Sequence, residues 1–176
     1  MRASALAAAA LLGAPLAWGA CLNNATHGRA TTNDTCTATQ TSYPNARDTL
    51  LADTGGRLTV SQRVTLQNSG QSRRGVLALD AGSQITLADV TVTFSGAAAP
   101  RGLAAENGGK LSYRVARIDF QGHNGAYGMR QSHPGGSIVG GNTTIKVSGP
   151  ASWGAQVDGP CTSTAGWSST APTASA

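Results

Sequence analysis

Acidic residues and histidines are scarce in this 176-residue chain, which has eight aspartates and glutamates together and three histidines. No two of the histidines, His27, His123 and His133, have the close spacing of a metal site, so no metal is expected. Neither a Gly-x-Ser-x-Gly elbow nor a credible Ser-His-Asp set occurs, which argues against a serine protease or esterase. Calcium repeats of the Gly-Gly-x-Gly-x-Asp kind are missing as well. Of the acids, Asp80, Asp89, Glu106 and Asp119 fall within the repeated part of the chain. Asp80 and Glu106 occupy roughly equivalent sites before two glycine turns, where they could share one ridge as the facing carboxylates of glycoside cleavage do. Turn acids are more commonly solvated or bonded to their own backbone. The expectation is therefore no catalytic residue, no cofactor and no enzyme.

Long apolar runs are missing too. The longest stretch is at the N-terminus, where Arg2 precedes an apolar run from Ala5 to Leu12 followed by small residues. That run is too short for a membrane span and reads as a secretory signal over 1–20, cut after Gly19 or Ala20. Export to the periplasm, the cell surface or the medium follows. Lysine and arginine total 13, giving a net charge of +5. The basic residues (Arg57, Arg63, Arg73, Arg74, Arg101, Arg114, Arg117 and Arg130 among them) are scattered, without the clustering that nucleic-acid binding needs. Arg74 and Arg101 each directly precede a glycine of the repeat described next, so some arginines are expected to align.

Glycine is what the chain has in abundance, at 23 residues. Three sets of glycines recur at steps of 26 or 27 residues: Gly56, Gly82, Gly109 and Gly136; Gly70, Gly96, Gly122 and Gly149; and Gly75, Gly102, Gly128 and Gly154. Self-similarity at such a period marks a repeat architecture. Within each unit apolar and polar residues alternate, as in Val90-Thr91-Val92-Thr93-Phe94, which puts the apolar residues on one face of a strand and the threonines on the other. The apolar faces align between units. Leu66, Val92, Ile118 and Ile145 form one column, Phe94, Phe120 and Val147 a second with Asn68 at its head, and Val76, Leu103, Met129 and Ala155 a third. A β-sandwich would share the alternation without repeating side chain by side chain. Stacked units bury a continuous core that one unit alone cannot. The fold expected is all-β, a right-handed parallel β-helix of about four coils with repeats of ~26 residues. Leu58 and Leu111 follow their glycines by two and Ile85 by three, an irregularity that a one-residue bulge at a corner would absorb.

Residues 21–47 are expected to form an N-terminal cap region, loop-like in its Asn/Thr/Gly-rich start. Residues 48–158 form the coils, and 159–176 a disordered Ser/Thr/Ala-rich tail. Export makes a disulfide between Cys21 and Cys36 chemically reasonable, and a loop of about 15 residues contributes about 3 kcal/mol when so closed. Cys161 is left over. No C-terminal cap is evident, so the solenoid is expected to be truncated or continued by something else.

The cycle of strand, Ser-Gly stop, spacer, Arg/Ala-Gly-aliphatic and Gly-Gly turn, specific from Gly75 through Thr93, resembles the passenger domain of bacterial autotransporters of the pertactin type. Gly102 to Phe120 and Gly128 to Val147 repeat it. That resemblance implies a secreted, adhesin-like β-helix carried across the outer membrane by a C-terminal barrel, and the barrel is missing from this sequence. It further implies a monomer whose partners are protein or glycan ligands on host or neighbouring cells, with no nucleic acid among them. Exposed threonine rows and the loop 121–126 are where such contacts are expected. Two alternatives stand beside it: a carbohydrate-active β-helix lyase or hydrolase, and a vestigial structural product without independent activity.

Overall fold

A computed structural model describes residues 22–23, 28–31, 34–44, 48–68, 74–95, 99–132 and 135–158. The expected signal (1–20) and tail (159–176) lie outside these, as do His27, His133, Cys21, Cys161, Gly70 and Gly96. The described chain is all-β. Its strands are β1 (Leu22–Asn23), β2 (Gly28–Ala30), β3 (Thr35–Thr37), β4 (Ser42–Pro44), β5 (Asp48–Ala52), β6 (Arg57–Asn68) and β7 (Arg74–Leu79). There follow β8 (Gln84–Phe94), β9 (Arg101–Glu106), β10 (Lys110–Phe120), β11 (Tyr127–Gln131), β12 (Ser137–Val147) and β13 (Trp153–Val157). No helix among the described residues is long and apolar enough to cross a membrane.

Short and long strands alternate along the chain and sort into two sheets. One runs β1-β2-β5-β7-β9-β11-β13 and the other β12-β10-β8-β6-β3, with β4 also on β6. Apart from the antiparallel β1–β2 pair, every pairing is parallel. Parallel neighbours 26 or 27 residues apart require the chain to complete one circuit per repeat, which is a β-solenoid. The coils are β5–β6, β7–β8, β9–β10 and β11–β12, and β13 begins another.

The aligned columns are those of the sequence. Leu66 pairs with Val92, Val92 with Ile118 and Ile118 with Ile145. Asn68, Phe94, Phe120 and Val147 make the second column and Val76, Leu103, Met129 and Ala155 the third. Val92, Ile118, Phe94, Phe120, Leu103 and Met129 are all buried, whereas Thr93 faces solvent. Full burial of one such aliphatic or aromatic side chain stabilises by about 1.5–3 kcal/mol. In the long strands the inward phase shifts once: Ile85 and Leu87 point in, then Val90, Val92 and Phe94. The shift bends the strand, so each coil presents three inward stretches. A fourth column, Ala30, Ala52, Ala78 and Ala105, lies in the short strands β2, β5, β7 and β9 and is fully buried.

The first glycine set needs correction at one member. Gly55, Gly82, Gly108 and Gly135 share the position two residues before their long strands, and all hold positive φ, 80°, 86°, 89° and 75°. L-side chains are disfavoured there. The next position is Gly56, Ser83, Gly109 and Gly136, so Gly82 belongs to the Gly55 column rather than with Gly56. Ser83 is buried, and its Oγ accepts a hydrogen bond from the Gly55 N–H of the preceding coil at 2.9 Å. The Gly-Gly doublets concealed this, because either glycine of a pair fits a step of 26 or 27. The late arrival of Ile85 follows from the same misalignment. The actual bulge lies in β6, where the register with β8 shifts between Val60 and Arg63.

The cap region holds more strand than its composition suggests. Strands β2, β3 and β4 all stack in parallel on the first coil. Cys36, buried in β3, is disulfide-bonded; the expected pairing with Cys21 falls outside the described residues. Tyr43 heads the Leu66 column and is fully buried. Near the other end Tyr113 occupies a column otherwise held by Val60 and Leu87, and its ring fills the space left by Gly140 in the next coil. Its hydroxyl lies 2.6 Å from Thr143 Oγ1.

Burial raises the pKa of both phenols above the usual 10.0, opposed in part by hydrogen bonds to the Gln40 backbone for Tyr43 and to Thr143 for Tyr113. A raised phenol pKa favours the neutral form in the folded chain. The associated stability is complete below the unfolded-state value near 10 and is lost as pH climbs through the folded-state values. Thermal melts followed by circular dichroism are expected to hold a constant midpoint up to about pH 9 and to fall above about pH 10. Tyr43→Phe with Tyr113→Phe is expected to shrink that alkaline fall.

Candidate binding face

The carboxylates singled out in the sequence do not face each other across a gap. Glu106 is in register with Leu79, while Asp80 is the extra residue of its turn, at φ 72°. The Asp80 N–H donates to the Glu106 carbonyl, so the two are adjacent through backbone. Glu106 itself is committed to Arg101, with Nη1 to Oε1 at 2.6 Å. Asp89 is mostly buried between two arginines from the coils on either side, Arg114 at 2.5 Å and Arg63 at 3.8 Å. Both arginine side chains are largely exposed, so this cluster fastens the outer bend of the long strands.

His123 is buried against Phe120, edge to face at 5.9 Å, with Nε2 2.8 Å from the Phe94 carbonyl. Phe94 and Phe120 stack at 5.2 Å. The loop around it, 121–126, is tied to the coil above by His123 N–H to Ser148 O and Gly125 N–H to Pro150 O, and to the coil below by the Ala99 N–H on Asn124 O. It is therefore a rung of the solenoid rather than a projecting arm. One threonine row spans three strands, Thr37, Thr59 and Thr86, and Ser112 continues it; the other is short, since Thr65 and Thr91 pair but the next coil places Arg117 there, and Thr93 gives way to Asp119. Among the described residues, no group of three or more histidine, cysteine, aspartate or glutamate residues could hold a metal ion.

A different cluster emerges on the outer face of the seven-stranded sheet. In the short strands Gly102 and Leu103 both turn inward, which leaves Arg101 and Glu106 outside, as their ion pair requires. The outer column therefore runs Arg74, Arg101, Tyr127, Trp153, each one residue before a glycine of the third set. The expected alignment of Arg74 with Arg101 is present, and the column continues as aromatics. Tyr127 and Trp153 stack at 5.0 Å with 13° between their planes. Arg130 lies over the Tyr127 ring, 5.3 Å from its centroid, an arrangement attractive through the ring quadrupole. Asp158 closes the set: one carboxylate oxygen is 3.7 Å from Arg130 Nη2 and the other accepts from Gln156 Nε2 at 3.0 Å. Sequence reading passed over Tyr127 and Trp153 because they stand 26 apart; their shared place before a glycine was the available signal.

Together the register and the two continuous sheets define a parallel β-solenoid of about four coils. No protein-family model, curated protein or solved structure matches this chain.

Proposed function

We propose that the chain is a non-enzymatic binding solenoid, exported by its N-terminal segment and displayed at a bacterial surface as adhesin-like autotransporter passengers are. The observation that carries this reading is the outer column ending in Tyr127 and Trp153, flanked by Arg130. These side chains lie outside the core, and aromatic residues and arginine dominate binding energetics where proteins meet ligands. A rigid solenoid suits such a role, since its stacked coils hold outer side chains at fixed spacing with little ordering cost on contact. The pairing of Glu106 with Arg101 weighs against the carbohydrate-cleaving alternative.

The test is flow cytometry of the fluorescently labelled full chain on epithelial cells and on bacteria. Saturable binding, displaced by excess unlabelled protein, is expected on at least one surface. Binding that is absent or non-saturable on all of them would contradict the proposal.

A further inference from the structure

Charge is shared unevenly between the two sheets. Both lysines and four arginines (Arg57, Arg63, Lys110, Arg114, Arg117 and Lys146) stand on the long strands β6, β10 and β12, and all six are exposed. Only two of the eight acidic residues, Asp89 and Asp119, belong to the long strands, which leaves their sheet at +4. Register places the cations of β6 and β10 on alternate coils. Arg57 pairs with Gln84 and Gln84 with Lys110, so two strand spacings, roughly 10 Å, part the backbones that carry these two cations. At the bend, Arg63 and Arg114 flank Asp89 of the coil between them, each through one terminal nitrogen. A guanidinium has more donors than that contact uses, and the two side chains are 73% and 70% exposed. Arg57 and Lys110 make no ion pair among the described residues. Between the two cation pairs runs the hydroxyl row Thr59, Thr86 and Ser112.

We infer that this face, from β6 to β10, binds an acidic polysaccharide that runs across the strands and carries one carboxylate per disaccharide. An extended glycan of alternating uronate and neutral residues spaces its carboxylates one disaccharide apart, a step close to two strand spacings. Successive carboxylates therefore meet cations on alternate coils, Arg57 and Lys110 on one track and Arg63 and Arg114 on the other. Arginine forks suit carboxylates. Asp89 already holds one of the pairs, so less side-chain ordering remains to be done on binding. The threonine and serine hydroxyls between the tracks both donate and accept, as the hydroxyls of a sugar require. Duplex nucleic acid carries a charge every ~1.7 Å, far denser than these cations. Unstacked bases need aromatic platforms, whereas the aromatic residues of this sheet, Tyr43, Phe94, Tyr113 and Phe120, are buried. An anionic bilayer offers charge without the matching repeat and is tested against the glycan.

This face lies on the other sheet from Tyr127 and Trp153, so the inference goes beyond the proposed function and can fail separately from it. The full chain is passed at low ionic strength over immobilised hyaluronan, a polymer of glucuronate and N-acetylglucosamine, and over chitin oligosaccharides as its neutral counterpart. Saturable binding to hyaluronan but not to chitin is expected, weakening as salt is raised. Arg57→Gln and Lys110→Gln are each expected to weaken it about threefold, and together about tenfold. Neither substitution breaks an ion pair of the fold, and circular dichroism checks that each variant is folded. Arg29→Gln removes the same charge from the seven-stranded sheet and is expected to change nothing. An equal loss in Arg29→Gln would reduce the interaction to net charge and overturn the inference. Absence of hyaluronan binding overturns it as well, whether or not heparin, single-stranded DNA or phosphatidylserine vesicles bind instead. Cell binding that persists without hyaluronan binding removes this face and leaves the adhesin role standing.

Discussion

Replacing Ile118 with aspartate is expected to unfold the solenoid or leave it molten, whereas Thr91→Asp leaves it folded. Ile118 lies in the interior of β10, 2% exposed, with Val92 beside it in one coil and Ile145 in the next. A carboxylate there has apolar neighbours and no cation within the column. Burying an unpaired charge costs several kcal/mol even after local adjustment, a large share of the about 5–15 kcal/mol by which domains are stable. Thr91 is on the opposite face of the adjacent strand, partly exposed, and its register partner in β10 is Arg117. An aspartate at 91 would therefore remain hydrated and gain a nearby cation. Urea titrations followed by circular dichroism should show the midpoint collapse for Ile118→Asp and stay near wild type for Thr91→Asp. Similar losses at the two positions would mean that the faces are wrongly assigned.

Gly102→Val is expected to be comparably damaging, for a reason of space rather than charge. A Cβ at Gly102 would come within 2.5 Å of the Gly128 carbonyl oxygen and 3.0 Å of Ile118 Cδ1. The carbonyl belongs to the next coil and cannot retreat without parting two strands, so the expected cost is on the order of 3 kcal/mol or more. Gly128 is as tightly placed, against Gly154 O and Ile145 Cγ2. Gly154 occupies the same column in the last strand, where the nearest atom to a Cβ is Ile145 Cγ2 at 3.9 Å. Gly154→Val is thus the internal control and should melt close to wild type. The constraint belongs to the middle coils, because the first coil carries Thr49 at this level, buried with its hydroxyl unpaired.

These two substitutions also mark what sequence reading can reach. The Ile118 column was legible because period-2 alternation repeats at a period that stacking enforces, so the same residue class returns at 92, 118 and 145. The third glycine set was legible for a similar reason, since close approach of successive backbones admits little else. Gly82 was misaligned because local turn chemistry varies by one residue between coils: three residues separate Asp53 from Arg57, and four separate Leu79 from Gln84, although the flanking residues are paired in register. No periodicity encodes such an insertion. The tyrosines near the ends of the core were not foreseen, because each replaces an aliphatic only where a column terminates or a glycine opens the next coil. The outer aromatic cluster was missed because attention to the inward faces treats the residue before each glycine as mere surface. Asp80 and Glu106 illustrate the opposite error, since similar sequence context suggested a pairing that the one-residue insertion and Arg101 undo.

The parallel stacking of coils underlies both the core and the candidate binding face. Its most direct test is a methyl NOESY spectrum of the folded protein with assigned valine, leucine and isoleucine methyls. Stacking in the observed register predicts an unbroken ladder of contacts from Leu66 to Val92, Val92 to Ile118 and Ile118 to Ile145. Ile118 contacts that skip Val92 and Ile145, with antiparallel partners in their place, would contradict the solenoid and the outer column that depends on it.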